Sequence, residues 1–286
     1  MAHLESNRSR SAPGLEHTLL NEPIPERAAP ASWTKPTAWL PPAVTLVALL
    51  LWEAASRLAW ISPLFFPPPS AIARVTWRLL LDGALTAHTW ATVSRLVLGL
   101  LTGGVAGYCL GLLMGWSRRL ELVVDPFVSA AHPIPKIAIL PLFLVIFGIG
   151  ETSRVLVVAL GTFFPMLINS MAGVRQIHTI HFEVAQNYEA GRWRTLRRVV
   201  LPGSLPLALA GLRLALNVAL LLTISIEIIG APEGLGSMIW RAWQTMRTEE
   251  LYASLAIIMV LGMAFNLLVN GMSRWLMPWQ AERYAE

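Results

Sequence analysis

The chain has 286 residues, 55% of them hydrophobic and 14% charged, with a mean hydropathy of +0.56. That is too apolar for a water-soluble domain of this length and points to an integral membrane protein surrounded by lipid. A pI near 10.0 and a net charge of +5 would suit a nucleic-acid binder, but the tryptophans edge apolar segments and the basic residues concentrate in one short stretch, so no nucleic-acid partner is expected.

Residues 1–36 are rich in Pro, Ser, Glu and Arg and contain no apolar run, which predicts a disordered cytoplasmic tail and not a cleaved signal peptide. A first transmembrane helix is expected within residues 37–62, from Trp39 to about Trp60, where Glu53 and Arg57 are four apart and can pair on one face. The prolines between Ile61 and Ser70 forbid a regular helix there, and Ala71 to Leu81 reads as a short amphipathic helix carrying Arg74 and Arg78.

The second span, about His88 to Trp116, places Gly99, Gly103, Gly107, Gly111 and Gly115 along one stripe. Such a stripe lets another backbone approach closely, within the subunit or in a second copy. Arg118 and Arg119 are expected in a loop. Asp125 to Gly150 is apolar but interrupted by Pro126, Pro133, Pro135 and Pro141, too many for one straight helix. Interrupted spans often line a transport path, and Lys136 sits at the break, either as a path residue or as a cap on the carbonyls the break frees. A fourth span is expected from about Arg154 to Val174.

The only strongly basic stretch follows, at about residues 178–206. Arg192, Arg194, Arg197 and Arg198 carry its charge, while Trp193, Leu196 and Val200 recur at helical spacing. Gly191 is expected to turn the chain between two short helices and Leu201-Pro202 to end the second, giving a helix–turn–helix finger. His178 and His181 alone make a weak metal site, and no metal is expected.

The fifth span, about Leu207 to Ile229, holds Arg213, Asn217 and Glu227 within an arc of about 80° on one face. Arg213 and Glu227 lie about 21 Å apart along the axis, so each must answer to another helix or to a wet cavity, as path lining or as a buried polar contact. Leu251 to about Leu276 makes the sixth span, with Trp275 and Trp279 at its interface. With six spans alternating from a cytoplasmic tail, the inner segments collect thirteen Lys and Arg residues, including Arg8, Arg10, Arg27, Lys35, Arg175, Arg274 and Arg283, against about five outside. This predicts both termini and the finger on the cytoplasmic side of the membrane.

Several chemistries are excluded. Cys109 is the single cysteine, so there is no internal disulfide framework or multi-cysteine metal site. Lys35 and Lys136 lie in Thr-Lys-Pro and Pro-Lys-Ile contexts, neither a phosphate-binding loop, so the chain has no such route to ATP hydrolysis. With no H-E-x-x-H, paired aspartates or convergent nucleophile and base, no catalytic residue and no cofactor are expected.

Glu183-Val-Ala185, a following glycine, Leu201-Pro202 and Pro206 resemble the EAA coupling loop of permease subunits in bacterial ABC importers. The runs His132 to Pro141, Phe147 to Glu151 and Gly161 to Pro165, with Asn169, resemble the nitrate/sulfonate/taurine branch of that family. The proline-serine segment before Ala71 and the Gly230 to Trp243 segment resemble its external parts.

The resemblance implies an all-α integral membrane fold, with six transmembrane helices in a type I importer bundle over residues 63–286 and the preceding helix, and a cytoplasmic helical coupling loop. It implies coupling roles for Glu183, Ala185, Gly191, Arg192, Leu201 and Pro202. The implied partners are two separate ATPase subunits, a second permease copy in a homodimer, an extracytoplasmic substrate-binding protein and membrane lipid. The implied function is alternating-access import of a small anion such as nitrate, a sulfonate or taurine. A secondary transporter without an ATPase is the rival reading. One departure stands out: Glu189 occupies the position where the family usually has the loop glycine.

Overall fold

The computed structural model describes residues 39–277. The expected tail, Lys35, Trp279 and Arg283 lie outside them. The described residues are helical with no strand, as an apolar environment favours by making each backbone amide find its partner within the segment. The chain divides into two compact units at Leu51/Trp52. The described part of the first, residues 39–51, is mostly the start of helix α1 (Leu40–Arg57), and its side chains are exposed and largely apolar.

In the second unit Glu53 accepts from Arg57 Nε at 2.5 Å, so the expected pair forms. The same carboxylate accepts from the Ser70 amide at 3.0 Å and the Ser70 hydroxyl at 2.7 Å. It thereby satisfies a free donor at the start of the amphipathic helix α2 (Pro69–Leu81), whose prolines supply none. Among the described residues four helices are long and apolar enough to cross a membrane: α3 (Ala84–Trp116), α6 (Glu151–Arg175), the continuous Arg192–Gly230 and α11 (Thr248–Leu276). A fifth crossing is available from α4 (Arg118–Ala131) and Lys136–Phe147, which ends in α5 (Leu140–Phe147), bent by 87° where the prolines required a break. The expected sixth rests on Leu40–Arg57, whose 18 residues make about 27 Å of helix.

The glycine stripe of α3 meets α6 of the same chain, which settles its partner. A methyl group on Gly103 would overlap the Ala159 carbonyl, one on Gly107 that of Phe163, and one on Gly111 that of Leu167. The four-residue period on one helix therefore matches the same period on the other, and the backbones touch without intervening side chains. Around this contact Leu96, Val157, Val158, Leu222 and Ile226 form the largest apolar core, joining α3, α6 and α9 (Leu201–Gly230).

Two expectations need correction. Arg118 and Arg119 are not in a loop: Ser117 accepts the Leu120 amide and starts α4, so both arginines lie in its first turn. There Arg118 Nη1 reaches Glu121 at 2.5 Å and Arg175 pairs with the same carboxylate, tying the start of α4 to the end of α6. Leu201-Pro202 does not end a helix either. Helix α8 (Arg192–Thr195) passes through a wide turn at Leu196–Val200 straight into α9, in which Pro202 lies in the first turn. The Leu201 amide bonds the Leu196 carbonyl five residues back. That extra residue in the turn makes room for the proline ring, which would otherwise press on the carbonyl before it.

Candidate functional site: a basic finger and a buried polar clamp

The finger is built at the junction of α6 and α9. Helix α7 (Thr179–Asn187) begins at His178, whose Nδ1 accepts the Ile180 amide at 3.5 Å, so that histidine serves as a helix cap. The turn after it differs from the sequence expectation. Gly191 has φ −60 and an extended backbone that any residue adopts, whereas Glu189 has φ +50, the left-handed region. The Glu189 amide donates to the Gln186 carbonyl at 2.9 Å and the Ala190 amide to the Ala185 carbonyl at 2.8 Å. Together these bonds close a Schellman turn on a residue with a side chain, where glycine is favoured. Ala185 thus contributes a carbonyl to the turn itself.

The finger's base is anchored and its flank is open. Val200 is buried with Leu112 and Val174, and Leu196, Phe182 and Trp116 pack against them. Trp193, expected on the same stripe, is 73% exposed, and Tyr188 is 80% exposed. Glu183 and Arg192 are also exposed. A groove of about 610 Å³ between the two finger helices is lined by Val184, Ala185, Tyr188, Arg194, Arg198 and Pro202 among others. A second, of about 510 Å³, lies against the end of α3 and includes Phe182, Gln186 and Arg192. Apolar walls beside mobile-length arginines suit a protein groove carrying acidic groups.

At the opposite ends of α3, α6 and α9 lies a polar clamp. Arg95 is only 3% exposed. Its Nε and Nη2 hold the two oxygens of Glu151 at 2.5 and 2.9 Å, and Nη1 donates to Glu227 at 2.7 Å and to the Glu233 carbonyl at 2.6 Å. Glu227, 1% exposed, also accepts from Thr92 Oγ1 at 3.0 Å and the Gly236 amide at 2.9 Å. Arg154 completes the set, bonding Glu151 and the Gly230 carbonyl. Two guanidiniums face two carboxylates, Glu227 buried and Glu151 open to solvent, so the charges of the set balance. Gly234, at φ +131, brings its backbone against the Glu227 carboxyl, where a methyl group would overlap it.

The four residues singled out for a path therefore separate. Glu227 faces into the clamp. Lys136 Nζ donates to the carbonyls of Ala131, His132 and Ile134 at 3.0, 2.6 and 2.7 Å and lies 4.4 Å from the Phe164 ring centre, so it closes the break in its own span. Arg213 and Asn217 are exposed, and Arg213 reaches Asn270 of α11 at 2.6 Å. Arg95, Arg154 and Thr92 were missed as site residues. Arg95 had a signal, since an arginine one turn before an apolar glycine repeat is an intramembrane charge that needs a partner. Among the described residues no group of His, Cys, Asp and Glu could hold a metal.

Long apolar helices welded by glycines, one broken crossing and a projecting basic hairpin define a multi-pass membrane transport subunit. Residues 103–281 match the family described as binding-protein-dependent transport system inner membrane component, and the chain belongs to that family. It is similar to the taurine transport system permease protein TauC of Escherichia coli (strain K12), at 33% identity over 92% of this chain and 98% of that one. It is also similar to the putative aliphatic sulfonates transport permease protein SsuC of Bacillus subtilis (strain 168), at 35% identity over 82% and 85%. The fold matches a chain of the inward-facing MetNI methionine ABC transporter with a TM-score of 0.58, at 20% identity and over 65% of this chain and 93% of that one. The protein is thus a permease subunit of an ABC importer, not an enzyme.

Proposed function

We propose that this subunit imports a small sulfonate, taurine or an alkanesulfonate, across the inner membrane. The observation that carries the solute class is the likeness, along nearly the whole of both chains, to a taurine permease. Two copies of the chain form the path, a binding protein delivers the solute from outside, and two ATPase subunits drive the cycle from the cytoplasm.

The finger faces the cytoplasm, in keeping with its four arginines and the positive-inside rule. Glu183, Arg192, Tyr188 and Trp193 meet the ATPase, while Ala185, Gly191, Leu201 and Pro202 shape the hairpin that presents them. The exposed apolar and basic flank supports this assignment, because a monomer gains nothing by holding Tyr188 and Trp193 in water. Of the four path candidates, Arg213 and Asn217 remain open to a solute, and Lys136 and Glu227 act structurally.

The test is uptake by proteoliposomes holding this chain with its partner ATPase and binding protein. Taurine or methanesulfonate should accumulate only with ATP and binding protein. Glu183→Lys should abolish ATPase stimulation while leaving the subunit inserted and folded. Nitrate uptake without sulfonate uptake would replace the solute class, and uptake without any ATPase would replace the mechanism by a secondary transporter.

A further inference from the structure

At the end of the bundle away from the finger, His88 of α3 faces Arg241 in the last turn of α10 (Leu235–Gln244). They line a cavity of about 340 Å³ with Leu79, Met238, Arg247 and Glu250. The proton positions at His88 follow from its partners. Nδ1 accepts the Gly234 amide at 2.9 Å, so it carries no proton, and the imidazole's one hydrogen must be on Nε2. That Nε2 lies 2.9 Å from Arg241 Nη2, which can only donate. Two N–H groups therefore converge at the cavity wall with no acceptor between them.

The cavity walls carry two arginines, Arg241 and Arg247, against one carboxylate, Glu250. Among the described residues Arg241 has no carboxylate partner, and its Nε has only the Ser237 carbonyl at 3.4 Å. Arg247 is held by Glu250 at 3.4 Å. The neighbouring clamp is neutral, with Arg95 and Arg154 set against Glu151 and Glu227. The Glu233 side chain is exposed and bonds neither His88 nor Arg241.

We propose that this cavity binds a small tetrahedral oxyanion, of sulfonate, sulfate or phosphate type. One oxygen accepts from both His88 Nε2 and Arg241 Nη2, and Arg247 adds charge at the rim. The group arrives either as a free anion or as the headgroup of a lipid in the adjoining leaflet. This site goes beyond sulfonate import as proposed above, and its test needs no transport, so either reading can fail alone.

The full chain in a maltoside detergent, which carries no phosphate, is unfolded thermally in sodium sulfate or sodium methanesulfonate against sodium chloride at equal ionic strength. Sulfate strengthens burial in any protein, so the diagnostic is a saturable rise in Tm that methanesulfonate reproduces and that depends on Arg241. Arg241→Gln should weaken the apparent affinity about tenfold or more, the loss of one charge-assisted hydrogen bond, and Arg241→Lys should fall between. Arg78→Gln, outside the cavity, should change nothing. A lipid source is read in nanodiscs containing phosphatidylglycerol, where Tm rises in an Arg241-dependent way and added sulfate has no further effect. The proposal is overturned if neither anion acts through Arg241. It is overturned also if sulfate acts only in Glu233→Gln, since an internal carboxylate would then fill the site.

Discussion

Arg95 Nη1 lies 2.7 Å from Glu227 Oε1, and this buried contact joins α3 to α9 at the end of the bundle remote from the finger. Arg95 donates to both carboxylates, whereas Arg154 bonds only Glu151 of the two.

Arg95→Ala should cost about 3–5 kcal/mol, since it strands the Glu227 carboxylate without its counter-charge. The double change Arg95→Met with Glu227→Leu should be less damaging than Arg95→Ala alone, because neither buried charge then remains. Thermal unfolding in detergent checks both, and a double variant as unstable as the single one would mean that charge balance is not what the clamp supplies.

Neighbouring glycines on α3 should respond differently to one methyl group. Gly103→Ala pushes against the Ala159 backbone, which cannot swing aside, and should cost about 1–3 kcal/mol. Gly104→Ala meets the Met166 side chain at an ordinary 3.6 Å and should be close to neutral. Equal losses of Tm in the two variants would refute the close backbone contact.

Glu189 holds a left-handed conformation at the finger's turn. Glu189→Gly removes the steric cost of a side chain there, worth about 1 kcal/mol, and should slow hydrogen exchange at the Ala190 amide. Glu189→Val should speed it. Unchanged exchange in both would mean that the turn is not held by this backbone geometry.

Lys136 caps three carbonyls at the bend of the broken crossing. Lys136→Met should lower stability by about 1–3 kcal/mol, with Lys136→Arg recovering part of it. If Lys136 bound solute instead, the variant would change the KM for uptake with stability intact.

How far the sequence revealed all this depends on the range of the interaction. The glycine period and the proline break are local patterns, and each predicted its element: a stripe built for close approach and a crossing that cannot run straight. The partner of the stripe was hidden, because α6 offers it backbone and no side chain announces that. Pro202 was misread since a proline alone reads as a helix end, whereas the added residue at Leu196–Val200 lets the helix continue. The clamp escaped because the groups Arg95 bonds lie 56 to 138 residues away from it along the chain. Glu227 was noticed as an isolated charge, and only the fold brings Arg95 to it.

The unbroken run from Arg192 to Gly230 is 39 residues, which makes it a rod of about 58 Å. Rods transmit rotation with amplification: a tilt of about 10° imposed at the arginine end sweeps the other end sideways by about 10 Å. The wide turn at Leu196–Val200 sits near the arginine end of this rod, and Glu227 sits near the other, so a push at the first would be felt most at the second.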